Sequence, residues 1–82
     1  MNEVKINSIY RHYKGNYYYI KDIAYDCESL EKLVIYQALY GDNRVWVRKL
    51  SCFLQEIDID KSENIYKQKH RFELINLNKE EI

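Results

Sequence analysis

The sequence predicts a mainly β fold, a small curled sheet or barrel of about five short strands with one or two short helical turns. Two turn signals, Lys14-Gly15-Asn16 and Gly41-Asp42-Asn43, separate strand-length runs rich in Tyr, Val and Ile. Five short strands with two tight turns leave little helix in the chain. The chain has only 82 residues, enough for one core and not for two. Closing such a sheet on itself lets a short chain enclose a core and hide its edges.

The elements follow in order. Ser8 to Tyr13 reads as a strand leading into the first turn, where Gly and Asn accept positive φ. Tyr17 to Tyr25 suits a pleated surface. Asp26-Cys27-Glu28-Ser29 is a connection, and Glu28 to Lys32 has the length of a helical turn. Leu33 to Tyr40 is apolar on both alternating faces, and its length and β-branched pair favour a strand covered on both sides over a helix. Arg44 to Lys49 is a fourth strand, Leu50 to Leu54 one helical turn, Asp58 to Lys69 a polar loop, and Arg71 to Ile75 the last strand. The whole chain, 1–82, reads as one domain with its core at about 8–75. Residues 76–82 read as a frayed tail.

Composition bounds the function. Thirteen Lys and Arg balance thirteen Asp and Glu, which argues against a protein held to nucleic acid by bulk charge. The balance is local as well as global. Basic stretches (Lys5, Arg11, Lys14 and Lys21; Arg44, Arg48 and Lys49; Lys67, Lys69 and Arg71) alternate with acidic ones, so basic patches survive inside a neutral total. No apolar run approaches a membrane span and the N-terminus is polar, so the expectation is a cytoplasmic protein with no membrane partner. Cys27 and Cys52 lie in no metal-ligand spacing and read as two small thiols in or near the core.

The strand Arg44-Val45-Trp46-Val47-Arg48 is the most informative for function. Alternation sets Val45 and Val47 on one face and Arg44, Trp46 and Arg48 on the other. Taking the valines as the core face leaves an indole between two guanidiniums, a surface suited to an anionic aromatic ligand such as a nucleotide. The competing reading packs Trp46 against a neighbouring strand and pairs the arginines with carboxylates. Tyr10-Arg11-His12-Tyr13-Lys14 interleaves basic and aromatic groups, with Tyr10, His12 and Lys14 sharing a face. Placed beside Trp46, it would complete an aromatic-basic groove. Tyr36 and Tyr40 fall on one face with Val34 and Ala38, either as core or as the rim of a pocket.

Other chemistry finds little support. Glu56, Asp58 and Asp60 alternate, but the run lacks the Gly and the distant Glu of a calcium loop, and a solvated strand edge is the better reading. No Ser sits in a nucleophile elbow and two glycines do not make a phosphate loop, which points away from an enzyme, a metal or a cofactor.

Several segments resemble one family. Tyr10-Arg11-His12-Tyr13-Lys14-Gly15-Asn16 with Tyr18 and Ile20 resembles the opening of the bacterial and phage DUF1653 domain. Leu33 to Asp42 resembles its centre, and Trp46-Val47-Arg48 with Phe53, Arg71 and Phe72 resembles the rest. The resemblance covers roughly residues 9–75 and implies an SH3-like β-roll. It implies no mechanism. Three departures stand out: Tyr25-Asp26-Cys27-Glu28-Ser29 replaces an Arg-His-Ser-Glu-Thr-like connection, Lys49 stands where the family usually has Pro, and the stretch from Phe53 to Arg71 is longer.

The expected function is a non-enzymatic binding module for a small anionic or aromatic, nucleotide-like ligand. Its candidate residues are Tyr10, Arg11, His12, Lys14, Tyr36, Tyr40, Arg44, Trp46, Arg48 and Arg71. Two alternatives stay open: an SH3-like adaptor for protein or RNA, and a homo-oligomerising structural domain. A pocket of about 300 Å3 or more would favour the small ligand, and a shallow strip the polymer.

Overall fold

The computed structural model describes residues 3–75; the expected tail at 76–82 lies outside them. Five strands are present, β1 (Ile9–His12), β2 (Tyr17–Tyr25), β3 (Lys32–Ala38), β4 (Val45–Lys49) and β5 (Phe72–Leu74), with one helical turn, α1 (Leu50–Phe53), after β4. They form one antiparallel sheet in the order β4-β3-β2-β1-β5. The first four make a meander, and β5 returns to pair with β1.

The turns form where Gly and Asn allow them. Gly15 has φ +111°, and His12 and Asn16 are joined by an N–H···O=C bond of 2.8 Å. At the second turn Gly41 and Asn43 both take positive φ, and the Asn43 side chain donates to the Ala38 carbonyl. The connection at 26–31 is a turn rather than the expected helical one. The Asp26 carboxylate accepts from the backbone N–H groups of Glu28 and Ser29, and Leu30 takes φ +64°. Those two N–H donors hold the Asp26 pKa below the usual carboxylate range.

The sheet curls but does not close: β4 and β5 end its order and share no ladder. In a flat sheet β3 and β5, three positions apart, would stand roughly 14 Å from each other. Instead the Tyr36 and Phe72 rings lie 5.4 Å apart, and the Arg48 guanidinium of β4 is 5.7 Å from the Phe72 ring centre. A bulge assists the bend. Ile20 pairs with Tyr36 and Asp22 with Ile35, so Lys21 is an extra residue on β2. Tyr18 and Ile20 face the core before it, and Ile23 after it.

The core lies on the inner face: Tyr10, Tyr18, Ile20, Val34, Tyr36, Ala38, Phe53 and Phe72. Phe53, brought over the sheet by α1, stacks on Phe72 with ring centres 4.1 Å apart and planes 3° apart. Burying two Phe side chains contributes about 2–3 kcal/mol each, a large share for so small a domain.

The face assignment of β4 is corrected. Val45 and Val47 are 49% and 60% exposed and do not face the core. Trp46 pairs with Tyr36 and Arg48 with Val34, and directly opposed residues point to the same side of a sheet. Trp46 and Arg48 therefore belong to the inner face, over its open margin. Alternation separates two faces but does not say which one the curl covers. One thiol is also corrected: Cys27 is exposed, whereas Cys52 is half-buried beside Phe53 of the core. The acidic run is not a strand edge throughout. Glu56 makes an isolated bridge with His70, and the Asp58 carboxylate accepts from the Asp60 N–H in a turn.

The segment after α1 is ordered by two buried amides. Asn64 and Gln68 are 1% and 2% exposed. The Asn64 side chain donates to the Asp58 and Gln68 carbonyls and accepts from the Gln68 N–H. The Gln68 side chain donates to the Arg11 and His70 carbonyls and accepts from Arg11 Nε at 2.6 Å. This seals the loop against β1, with both buried side-chain amides satisfied.

Candidate functional site

Where β4 and β5 approach across the curl, a cavity of about 170 Å3 is lined by His12, Tyr18, Tyr36, Tyr40, Trp46, Arg48 and Phe72. Strands supply most of the walls: β1 gives His12, β2 Tyr18, β3 Tyr36, β4 Trp46 and Arg48, and β5 Phe72. Tyr40 comes from the turn after β3.

The rings brace one another edge to face. Tyr18 stands 5.3 Å from Tyr36, 5.6 Å from Tyr40 and 5.5 Å from Phe72, and His12 lies 4.9 Å from Phe72. The Tyr18 and Tyr40 hydroxyls share a hydrogen bond of 2.7 Å. Burial and that bond push the Tyr18 phenol well above its ordinary value, so it stays neutral. Arg48 Nε donates to the Tyr36 hydroxyl at 3.1 Å. Among the described residues no carboxylate forms an ion pair with Arg48.

His12 is electrically silent at neutral pH. Its pKa is lowered from 6.5 to about 4, first by desolvation and then by the positive charges of Arg71, Arg48 and Lys14. Its Nδ1 accepts the Lys14 backbone N–H at 3.1 Å. The neutral ring's proton therefore sits on Nε2, which makes that nitrogen a donor. Phenol hydroxyls, an imidazole N–H and a guanidinium with no carboxylate partner give the cavity donors and apolar ring faces without a negative charge.

Of the residues singled out from the sequence, the structure gathers His12, Tyr36, Tyr40, Trp46 and Arg48 around this cavity. Arg44 lies at its margin, 5.7 Å over the Trp46 ring, and forms an ion pair with Asp42 at 3.1 Å. The remaining four are elsewhere. Tyr10 is in the core, its ring against Phe53 and its hydroxyl accepting from the Lys5 N–H. Arg11 points to the outer face, stacked 3.8 Å over Tyr66 and bonded to Gln68. Lys14 sits in the turn, 3.9 Å from Glu63. Arg71 donates to the Gln55 side chain and acts on the site only through its charge on His12. The expected groove of Tyr10, His12 and Lys14 beside Trp46 thus reduces to His12.

Tyr18 and Phe72 line the cavity and were missed among the candidates. Tyr18 alternates with Ile20 in the Tyr-rich β2, which marks it as inward-facing. No local pattern marks Phe72, because its position depends on β5 returning to β1.

A larger depression of about 380 Å3 lies beside the N-terminal segment, between Lys5, Tyr10, Leu54, Phe72 and Leu74, with His70 and Glu73 paired at its rim. Among the described residues no group of three His, Cys, Asp or Glu is placed to hold a metal ion, and no helix is long and apolar enough to cross a membrane.

The chain is similar to known proteins of one kind. A crystal structure of a DUF1653 protein from Bordetella bronchiseptica superimposes on it with a TM-score of 0.68 at 27% identity, covering 88% of this chain and 87% of that one. No curated protein matches. The DUF1653 family, described as proteins of unknown function, matches residues 8–74, which include every residue lining the cavity, and the chain belongs to that family.

Proposed function

We propose that this domain is a non-enzymatic binding module that takes the anionic or aromatic end of a small, nucleotide-like ligand between Trp46 and Arg48. The observation that carries this reading is the Arg48 guanidinium, uncommitted to a carboxylate and set among His12, Tyr18, Tyr36 and Phe72. A partly buried guanidinium without a counter-ion favours an anion, and the indole beside it favours a flat ring.

The cavity limits how much it would enclose. At about 170 Å3 it is below the roughly 300 Å3 that surrounds a whole drug-sized molecule. One group would enter and the remainder would lie over Trp46 towards Arg44. Two charge-assisted bonds from Arg48, each about 1.5–3 kcal/mol, and a stacking contact of about 1–2 kcal/mol then give high-micromolar to millimolar affinity after ordering costs.

Trp46 is the sole tryptophan, so its fluorescence reports on this site alone. Titration with a panel of nucleotides and anionic metabolites is expected to quench or shift it. An unchanged signal at millimolar concentration overturns the reading.

The small cavity volume also favours a second reading, an adaptor that takes one side chain or end group of a peptide or RNA. RNA would show a steep loss of affinity with salt, and a small anion bound through one arginine would not.

A further inference from the structure

β4 ends the sheet order, and no backbone bond beyond it occurs among the described residues. The ladder fixes which of its polar groups are free. The Ala38 N–H donates to the Arg44 carbonyl at 2.9 Å, so Arg44 occupies a bonded position, and by alternation Trp46 and Arg48 do too. The N–H and C=O groups of Val45, Val47 and Lys49 therefore face away from the sheet.

This edge is unusually sticky. Val45, Trp46 and Val47 are three consecutive apolar residues at 49%, 44% and 60% exposure. Edge strands are generally blunted by Pro, a bulge or an outward Lys. β4 has no Pro and no bulge against β3, and Lys49 is drawn back to Glu31 at 3.4 Å.

We propose that two copies of this chain pair β4 to β4, antiparallel about Val47, so that the partner copy's Arg48 lies across from Trp46. Self-complementarity selects this register. An odd offset would oppose an outward-facing residue to an inward-facing one and is excluded. Pairing Trp46 with itself would set Arg44 opposite Arg48, and pairing Arg48 with itself would oppose two guanidiniums. Pairing Val45 with itself leaves almost no overlap within the strands. Only pairing about Val47 uses all five residues of β4 with no like charges opposed. It sets Val47 against Val47, the Lys49 stem against Val45, and a guanidinium against each indole. All four of the last groups lie on the inner face, so the two cavities meet at the seam and each gains a second arginine. That gain rests on the ligand-binding reading above; the pairing itself does not.

Light scattering on the full chain at micromolar concentration is expected to give twice the 10.1 kDa chain mass. Val47→Lys opposes two ammonium groups on the two-fold axis, and is expected to give the single-chain mass with an unchanged circular dichroism spectrum. In a Cys27→Ser, Cys52→Ser background, Val47→Cys is expected to oxidise to a covalent dimer. The bonded pair's Cα separation of about 5.5 Å suits a disulfide. Val45→Cys, set against Lys49, is not expected to cross-link. A single-chain mass for the unsubstituted protein, or equal cross-linking at 45 and 47, overturns the pairing. A failed ligand titration leaves the mass unchanged, so the two proposals fail separately.

Discussion

Arg48 Nε donates to the Tyr36 hydroxyl at 3.1 Å, which holds the guanidinium over the inner face by its inner nitrogen and leaves the two terminal ones uncommitted among the described residues. The Tyr36 ring is itself fixed edge-on between Tyr18 and Phe53. The cation is thus positioned by a core side chain rather than by a counter-ion. On the ligand-binding reading, Arg48→Met should weaken binding by ten- to a hundredfold, the loss of one or two charge-assisted bonds. Tyr36→Phe, which removes only the orienting acceptor, should cost several-fold. Trp46 fluorescence titration reads both, and circular dichroism verifies that the fold is kept.

The state of His12 makes stability depend on pH in one direction. Its pKa is about 4 when folded and 6.5 when free, so between these values the unfolded chain binds the extra proton. Its contribution is therefore complete above pH 6.5 and lost as pH falls towards 4. Urea midpoints measured across this window should decrease with acid, and His12→Asn should flatten the trend. An anion bound beside Arg48 should raise the imidazole pKa, seen as a higher midpoint in an NMR titration of the ring.

Phe53 has no exposure and stacks on Phe72. Phe53→Ala should cost about 3–5 kcal/mol, enough to unfold much of a domain of this size. Phe53→Leu should cost distinctly less. Chemical denaturation ranks the two.

Gln68 ties the loop to β1 through two side-chain bonds to Arg11 and makes a third to the His70 carbonyl. Gln68→Ala should destabilise by about 1–3 kcal/mol, because it leaves buried partners unsatisfied. Amide exchange should rise first at residues 58–70, while the Trp46 response to ligand should stay as before.

The strands and both Gly-Asn turns were legible because alternation and positive-φ residues are local signals. β2 matches its expected limits, Tyr17–Tyr25, and the other strands differ only at their ends. The site was legible in part. Trp46, Arg48, His12, Tyr36 and Tyr40 were recognisable by type, but the side of β4 that is covered depends on register against β3 and on the curl. The same alternation that proposed the Trp46 and Arg48 pairing put the valines inside, because Val, Trp and the stem of Arg all tolerate burial. Asn64 and Gln68 read as solvated loop because their polar character hides a burial that depends on Arg11, 57 positions from Gln68, as well as on nearby carbonyls.

The extra residue at Lys21 divides β2 into two reading frames. Upstream, even-numbered positions look inward; downstream, odd ones do. Deleting Lys21 would join the two frames into one unbroken alternation, with Ile20 in, Asp22 out and Ile23 in, and would remove the local kink while leaving those side chains on their present faces. Relatives lacking that residue should therefore alternate without a break along this strand, and threading them without a gap would misplace every side chain beyond it.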